Sequence, residues 1–303
     1  MPLLASLNRR NFLASSAIAL GATLLRGRPA FAQPDPYGGF KVGLQSYTLR
    51  AFDAKQALAH SKTLGVKYWE SFPKHVPLTT LPAAVGESKK LLADSGVKML
   101  SYGVVKLTSD ETKAREIFDF AKAMGIISLS ADPDPDRATF DLLDKLVAEY
   151  DVAVAIHNHG PGHRYDKADD VLKVVKDRHP KIGACVDTGH YLRSNENPIE
   201  VIQKFGPRVH GVHLKDVRTV KAPEEQEKIA PKLTKNRANM LVKENKLFTV
   251  LGEGELDTVG VLKALKKLNY QNLVALEYEE SEQNPLADVE LCLAAVREAV
   301  KKV

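Results

Sequence analysis

From Lys41 onward the chain alternates short runs of β-branched and apolar residues with longer stretches in which apolar positions recur every three or four residues. The short runs predict strands at 41–48, 66–71, 97–105, 125–131, 152–157, 182–187, 209–214 and 272–277. The stretches between them, among them 110–124, 139–150 and 167–178, predict amphipathic helices. Over the first seven strands the starts lie about 28 residues apart, the length of one strand–helix module. Eight such modules predict a single-domain α/β fold, a (β/α)8 TIM barrel, rather than an open doubly wound sheet. No Gly-x-Gly-x-x-Gly turn follows the first strand, which weakens a dinucleotide-binding reading. The last step is irregular. Residues 217–248 form an insertion with eight basic and four acidic residues before Gly252-Glu253-Gly254 and a helix at 259–268. Two readings of it stand side by side: a lid over a substrate, or a solvated helical excursion with pairs such as Glu224 and Lys228.

The N-terminus reads as an address. Asn8-Arg9-Arg10-Asn11-Phe12-Leu13 resembles the twin-arginine export motif; an apolar run at 13–25 and Ala30-Phe31-Ala32 follow in the order of a cleavable signal peptide. The run is too short for a spanning helix. The expected division is a signal peptide at 1–32 and a barrel domain at 33–303, carried by the twin-arginine machinery to the periplasm and soluble there without stable membrane insertion.

Composition then narrows the chemistry. Of 303 residues, 44% are apolar and 27% charged, ample for a large core. The net charge is +5, and four of those charges are Arg9, Arg10, Arg26 and Arg28, so residues 33–303 carry a net charge of +1. Nucleic acid is therefore a poor default partner. The two cysteines, Cys185 and Cys292, are too few for a disulfide framework or a thiolate zinc cluster.

In a parallel barrel the chemistry collects at the C-terminal strand ends, so a polar residue closing an apolar strand is informative. His157, Asp187, His213 and Glu277 are each the first polar residue after an apolar run. Two imidazoles and two carboxylates suit one divalent ion, Mn2+, Zn2+, Co2+ or Fe2+, better than Ca2+ or Mg2+. Six of the nine histidines (157, 159, 163, 190, 210 and 213) lie in strands five to seven or the loops after them, a clustering that packing does not require.

Asp187-Thr188-Gly189-His190, His213-Leu214-Lys215-Asp216, Gly252-Glu253-Gly254-Glu255-Leu256 and Leu276-Glu277 in this order resemble the xylose isomerase-like barrel superfamily of sugar phosphate isomerases and epimerases, inosose dehydratases and AP endonucleases. The resemblance runs from Gly43 to Glu280. It implies that His157, Asp187, His213 and Glu277 hold one metal ion, and that the chemistry is proton abstraction beside a carbonyl. It also implies pairing into a homo-oligomer through the outer helices, although no exposed apolar stripe is evident. Two departures qualify it. The ketose epimerases carry a glutamate where His157 stands, which puts a symmetric two-carboxylate epimerisation in doubt. The three-zinc endonucleases carry Asp-x-His where this chain reads Lys246-Leu247-Phe248, so their phosphodiester cleavage is not expected.

The leading expectation is a metal-dependent isomerase or epimerase acting on a small-molecule sugar through an enediolate. Its alternative is a lyase or dehydratase that expels a β-substituent from an oxidised sugar, such as a 3-keto-glycoside. A phosphodiesterase and a non-catalytic sugar-binding barrel rank lower. Glu277, His159, His190 and Glu70 are the candidate acids and bases. Gln45, Tyr47, Tyr102, Lys106 and Lys215 are the candidate substrate contacts, Asp216 a partner that orients an imidazole, and Glu253 either a catalytic or a turn residue.

Overall fold

Residues 35–303 are described by the computed structural model; the expected signal peptide, with its paired arginines and Ala30-Phe31-Ala32, lies outside the described residues. Eight parallel strands close into a barrel: β1 (Lys41–Gln45), β2 (Tyr68–Ser71), β3 (Lys98–Leu107), β4 (Ser128–Pro133), β5 (Ala153–His157), β6 (Ile182–Asp187), β7 (Val209–Leu214) and β10 (Leu273–Leu276). Each pairs with its neighbour in chain order, and β10 closes the ring between β7 and β1. β5, β6 and β10 are buried along their whole length, as strands covered on both faces must be.

The connecting helices form where the sequence periodicity predicts them. In Glu111–Met124 the buried residues Ala114, Ile117, Phe118, Ala121 and Met124 recur at three- and four-residue spacing. Asp110 caps its start by accepting from the Lys113 N–H, and Gly125 ends it in the left-handed region at φ 73°. Strand β1 stops at Gln45, three residues short of the predicted end. There the chain winds into a 3-10 turn at Ser46–Leu49, and the Gln45 side chain accepts from the Tyr47 N–H at 3.0 Å.

The insertion departs most from the sequence reading. It opens and closes with an antiparallel pair, β8 (Asp216–Thr219) and β9 (Lys246–Thr249), around helices at Pro223–Ile229 and Lys235–Glu244. Val220, Leu241 and Leu247 form a small apolar core of its own, and Val217, Met240 and Phe248 form a second that packs on Leu192. Its strand pair and second helix are thus packed, while the helix Pro223–Ile229 buries no residue and stays solvated. Among the described residues no helix is long and apolar enough to cross a membrane.

Behind β2, His75 stacks on Trp69 and places Nε2 3.2 Å from the Phe52 carbonyl. Burial pushes its pKa down to about 4. The unfolded chain therefore binds a proton that the folded chain refuses between about pH 6.5 and 4, and stability present above that window is lost as pH falls through it. Urea midpoints are expected to fall across this window, and to fall less in His75→Phe; parallel curves would show that other groups carry the acid sensitivity.

Candidate metal centre and mouth of the barrel

Strands β5, β6, β7 and β10 are consecutive around the ring, so the residues closing them meet at one side of its C-terminal mouth. The register sets His157 opposite Cys185, and Asp187 opposite His213. Glu277 follows β10, and its N–H donates to the Leu214 carbonyl at 3.0 Å. One ligand atom from each of His157, Asp187, His213 and Glu277 lies within 4.8 Å of the others, and all four residues are buried. Nε2 of His157 stands 3.0 Å from Nδ1 of His213, which stands 3.1 Å from Oε2 of Glu277 and 3.7 Å from Oδ2 of Asp187.

The two oxygens of Asp187 have separate tasks. Oδ1 accepts from the His190 N–H at 2.9 Å and caps the helix Thr188–Arg193. Oδ2 is buried without a hydrogen bond. The Lys215 ammonium stands 3.0 Å from Oδ2, as an ion pair outside hydrogen-bond geometry, and 2.8 Å from Oε2 of Glu277. Asn158 fixes the strand around this residue, its Oδ1 accepting from the Asp187 N–H and its Nδ2 donating to the Asp187 carbonyl.

A single divalent cation fits this set. Buried charges need partners, and here Asp187, Glu277 and Glu279 share one fixed cation, Lys215, while Glu70 faces His213. An unbonded carboxylate oxygen and two facing imidazole nitrogens are the donors that Mn2+, Zn2+, Co2+ or Fe2+ take. Cys185 also brings its sulfur near His157 and His213. Burial pushes its thiol pKa up, so it joins the set only where a metal draws off its proton.

Glu70 has a different place from the one expected. Its carboxylate is sealed beneath His213: Oε1 accepts from Nε2 of His213 at 3.0 Å and from Gln45 at 2.8 Å, and Oε2 accepts from Ser101 and Ser130 at 2.7 and 2.9 Å. Every acceptor position is taken, leaving none for a sugar hydroxyl or a carbon-bound proton. Because a carboxylate only accepts, the contact puts a proton on Nε2 of His213, while Nδ1 faces Oε2 of Glu277 at 3.1 Å and becomes a ligand once it gives up its own proton. Burial works against the Glu70 charge, but the His213 field and the hydrogen bonds outweigh it and hold the pKa below the ordinary value. Glu70→Gln, with one acceptor oxygen instead of two, is expected to weaken metal affinity roughly 10- to 100-fold. Chelator competition measures this, and unchanged affinity would remove Glu70 from the site.

The other expected residues divide. Lys215 is buried at the cluster, its ammonium also 2.6 Å from Glu279. Burial opposes its charge, yet Asp187, Glu277 and Glu279 hold its pKa well above normal. His190 lines the mouth, its Nδ1 2.8 Å from the Arg193 guanidinium, which donates to it. His159 lies between the rings of His157 and His163, with centroids 4.4 and 4.6 Å away. Tyr47 lines the outer pocket.

Gln45, Tyr102 and Lys106 do not line the site as expected. Gln45 is buried and bonded to Glu70 and the Gly103 carbonyl. The Tyr102 hydroxyl donates to the Val76 carbonyl while its ring packs on Phe120, so it serves the core. Lys106 is exposed and pairs with Asp134 at 3.9 Å on the rim. Asp216 orients no imidazole; its carboxylate accepts from the N–H groups of Gly252, Gly254 and Leu256 and so holds the loop after β9. Glu253 is exposed in that turn. Sequence reasoning missed Arg193, Glu279 and Phe248. Arg193 follows His190 at helical spacing and Glu279 follows Glu277 by two, signals visible only once the anchor residue is known.

Comparison with known proteins agrees with this architecture. The model of the xylose isomerase-like TIM barrel matches residues 58–295. An inosose dehydratase of Clostridium botulinum (strain Eklund 17B / Type B) is 34% identical over 149 residues, covering 48% of this chain and 47% of that protein. The chain thus spans about half the length of the curated relatives it matches. Among solved structures, the IOLI protein with a bound zinc atom superposes with a TM-score of 0.64 at 16% identity, covering 87% of this chain and 99% of that one. A D-allulose 3-epimerase from Methylomonas sp. superposes at 0.61 with 16% identity, covering 86% and 98%. These superpositions speak to the fold. With a family match over well more than half its length and a closed eight-stranded barrel, the chain belongs to the xylose isomerase-like TIM barrel family.

Proposed function

We propose that the chain is a metal-dependent carbon–oxygen lyase that removes a proton beside the carbonyl of an oxidised sugar and expels the substituent one carbon further on. The carrying observation is the asymmetry of the cluster. Glu277 stands on β10's side, and His157 on β5 stands where a two-base epimerisation would need a second carboxylate. The dehydratase names of the curated relatives support the same choice over the isomerase or epimerase expected first. A divalent cation held by His157, Asp187, His213 and Glu277 would supply Lewis-acid polarisation of the carbonyl.

The chain's own groups carry the rest. The Glu277 carboxylate takes the carbon-bound proton on the oxygen not given to the metal, and the C–H electron pair becomes the new C=C bond while the C–O bond beyond it breaks. Lys215, 2.8 Å from Oε2, keeps Glu277 ionised. The departing oxygen takes the proton that Glu277 has just received, and His190, which accepts from Arg193 on Nδ1, lines the mouth beside it.

The test is incubation of the metal-loaded protein in D2O with an inosose and with a 3-keto-glucoside. Release of water or of the aglycone supports elimination. Deuterium uptake with the substrate skeleton intact would return the reading to an isomerase or epimerase. We also propose export by the twin-arginine route and cleavage after Ala32, which N-terminal sequencing of the periplasmic protein would test by a start at Gln33.

A further inference from the structure

Outside the cluster, a pocket of about 300 Å3 opens between the insertion and the loop after β10, lined among others by Tyr47, Arg50, Arg237, Met240, Phe248 and Glu280. It adjoins the proposed reaction centre through His190 and Glu279, which line it and touch Lys215. Its volume is at the lower end of the ~300–1,000 Å3 of small-molecule pockets, enough for one ring beyond the ring that reacts. Its outer wall is fixed. Arg193 forks onto Glu244 of the insertion with two contacts of 2.7 Å, and Arg237 of the insertion pairs with Glu280 of the barrel.

The charges around this pocket cancel pair by pair. Arg50 faces Glu282 at 3.6 Å, Arg193 is taken by Glu244, Arg237 by Glu280 and Lys215 by Glu279. A phosphate site presents convergent cations without carboxylate partners; here a phosphate would meet Glu279, Glu280 and Glu282 on one wall. Tyr47, Met240 and Phe248 supply apolar surface of the kind that the face of a sugar or aryl ring covers.

We propose that this pocket is the leaving-group subsite, that it takes an uncharged second sugar or aglycone, and that the substrate is an unphosphorylated glycoside. The inference rests on the lyase reading and deepens it. On a 3-keto-pyranoside the proton leaves C2, its electron pair forms the C1=C2 bond, the C1–O bond breaks, and the released oxygen takes a proton to become an alcohol or phenol. That oxygen and its substituent occupy the pocket, and no oxidant or second substrate is required.

The experiment measures binding to the metal-loaded full chain with unoxidised probes, which cannot react: methyl β-glucoside, phenyl β-glucoside, cellobiose, and cellobiose bearing a phosphate on the ring that enters the pocket. The expected result is that phenyl β-glucoside or cellobiose binds about tenfold or more tighter than methyl β-glucoside. The phosphorylated probe is expected to bind more weakly than cellobiose. Met240→Trp, which fills the pocket, is expected to bring the two-part probes down to the methyl glucoside level, with metal content and melting temperature checking that the variant folds. Equal affinity for one-part and two-part probes, or tighter binding of the phosphorylated probe, would overturn the proposal, and the wild-type series alone distinguishes these outcomes. If the binding order holds while no leaving group is released from 3-keto-glucosides, the subsite stands and the lyase reading falls.

Discussion

Asp187→Ala is expected to leave a folded barrel that has lost its cation, with metal content falling from about one per chain to about a tenth or less and turnover falling roughly a thousandfold or more. Two contributions separate in this residue. Removing Oδ1 deprives the helix Thr188–Arg193 of its cap, a cost of about 1 kcal/mol that a large barrel tolerates. Removing Oδ2 deletes a buried carboxylate oxygen that accepts no hydrogen bond in the protein and is available to a metal beside Lys215. Asp187→Asn tells the two apart. It can keep the cap while losing the charge, so its melting temperature should stay near wild type while its metal content falls with that of the alanine variant. Metal retained at full stoichiometry in both variants would remove Asp187 from the ligand set.

Glu277→Gln is the second large effect. The amide keeps an oxygen near the cluster but accepts no proton from carbon. Exchange of the proton beside the carbonyl is therefore expected to fall by about a thousandfold, while the protein still takes up metal when it is supplied in excess. His159→Gln offers the contrast. The His159 ring packs between His157 and His163 and has no partner in the cluster's hydrogen bonds, and its loss is expected to cost less than about tenfold. Deuterium exchange followed by NMR measures both. A large loss in His159→Gln with little change in Glu277→Gln would move the base to the imidazole.

The parts of this site that are legible in the sequence share one property: each is the polar residue at which an apolar strand ends. That signal finds His157, Asp187, His213 and Glu277 because a parallel barrel turns strand order into spatial order, and the last four strands are neighbours. It also names Glu70, next to the end of β2, but a strand end does not say which way a side chain turns or what already fills its bonds. The register shift between Trp69 and Glu70 where β2 meets β3, and the serines of β3 and β4, decide that Glu70 supports His213 from below. Gln45 and Tyr102 depart from expectation for the same reason, both being satisfied by backbone and buried neighbours.

The insertion is legible as an interruption in the module spacing, but its inner structure is not. Its two small apolar cores use residues that look scattered along the chain, Val217 with Met240 and Phe248, and Val220 with Leu241 and Leu247. They meet only because β8 and β9 pair antiparallel, which brings the ends of the segment together. The same pairing places Phe248 beside His190, with ring centroids 5.6 Å apart, and so gives the mouth its aromatic wall.

Anomalous diffraction from crystals of the protein grown with Zn2+ or Mn2+ tests the shared metal site most directly. The expected result is one strong peak about 2.0–2.3 Å from His157 Nε2, Asp187 Oδ2, His213 Nδ1 and Glu277 Oε2. A map with no peak there, or with the ion held by other side chains, would contradict a metal centre built from these four residues.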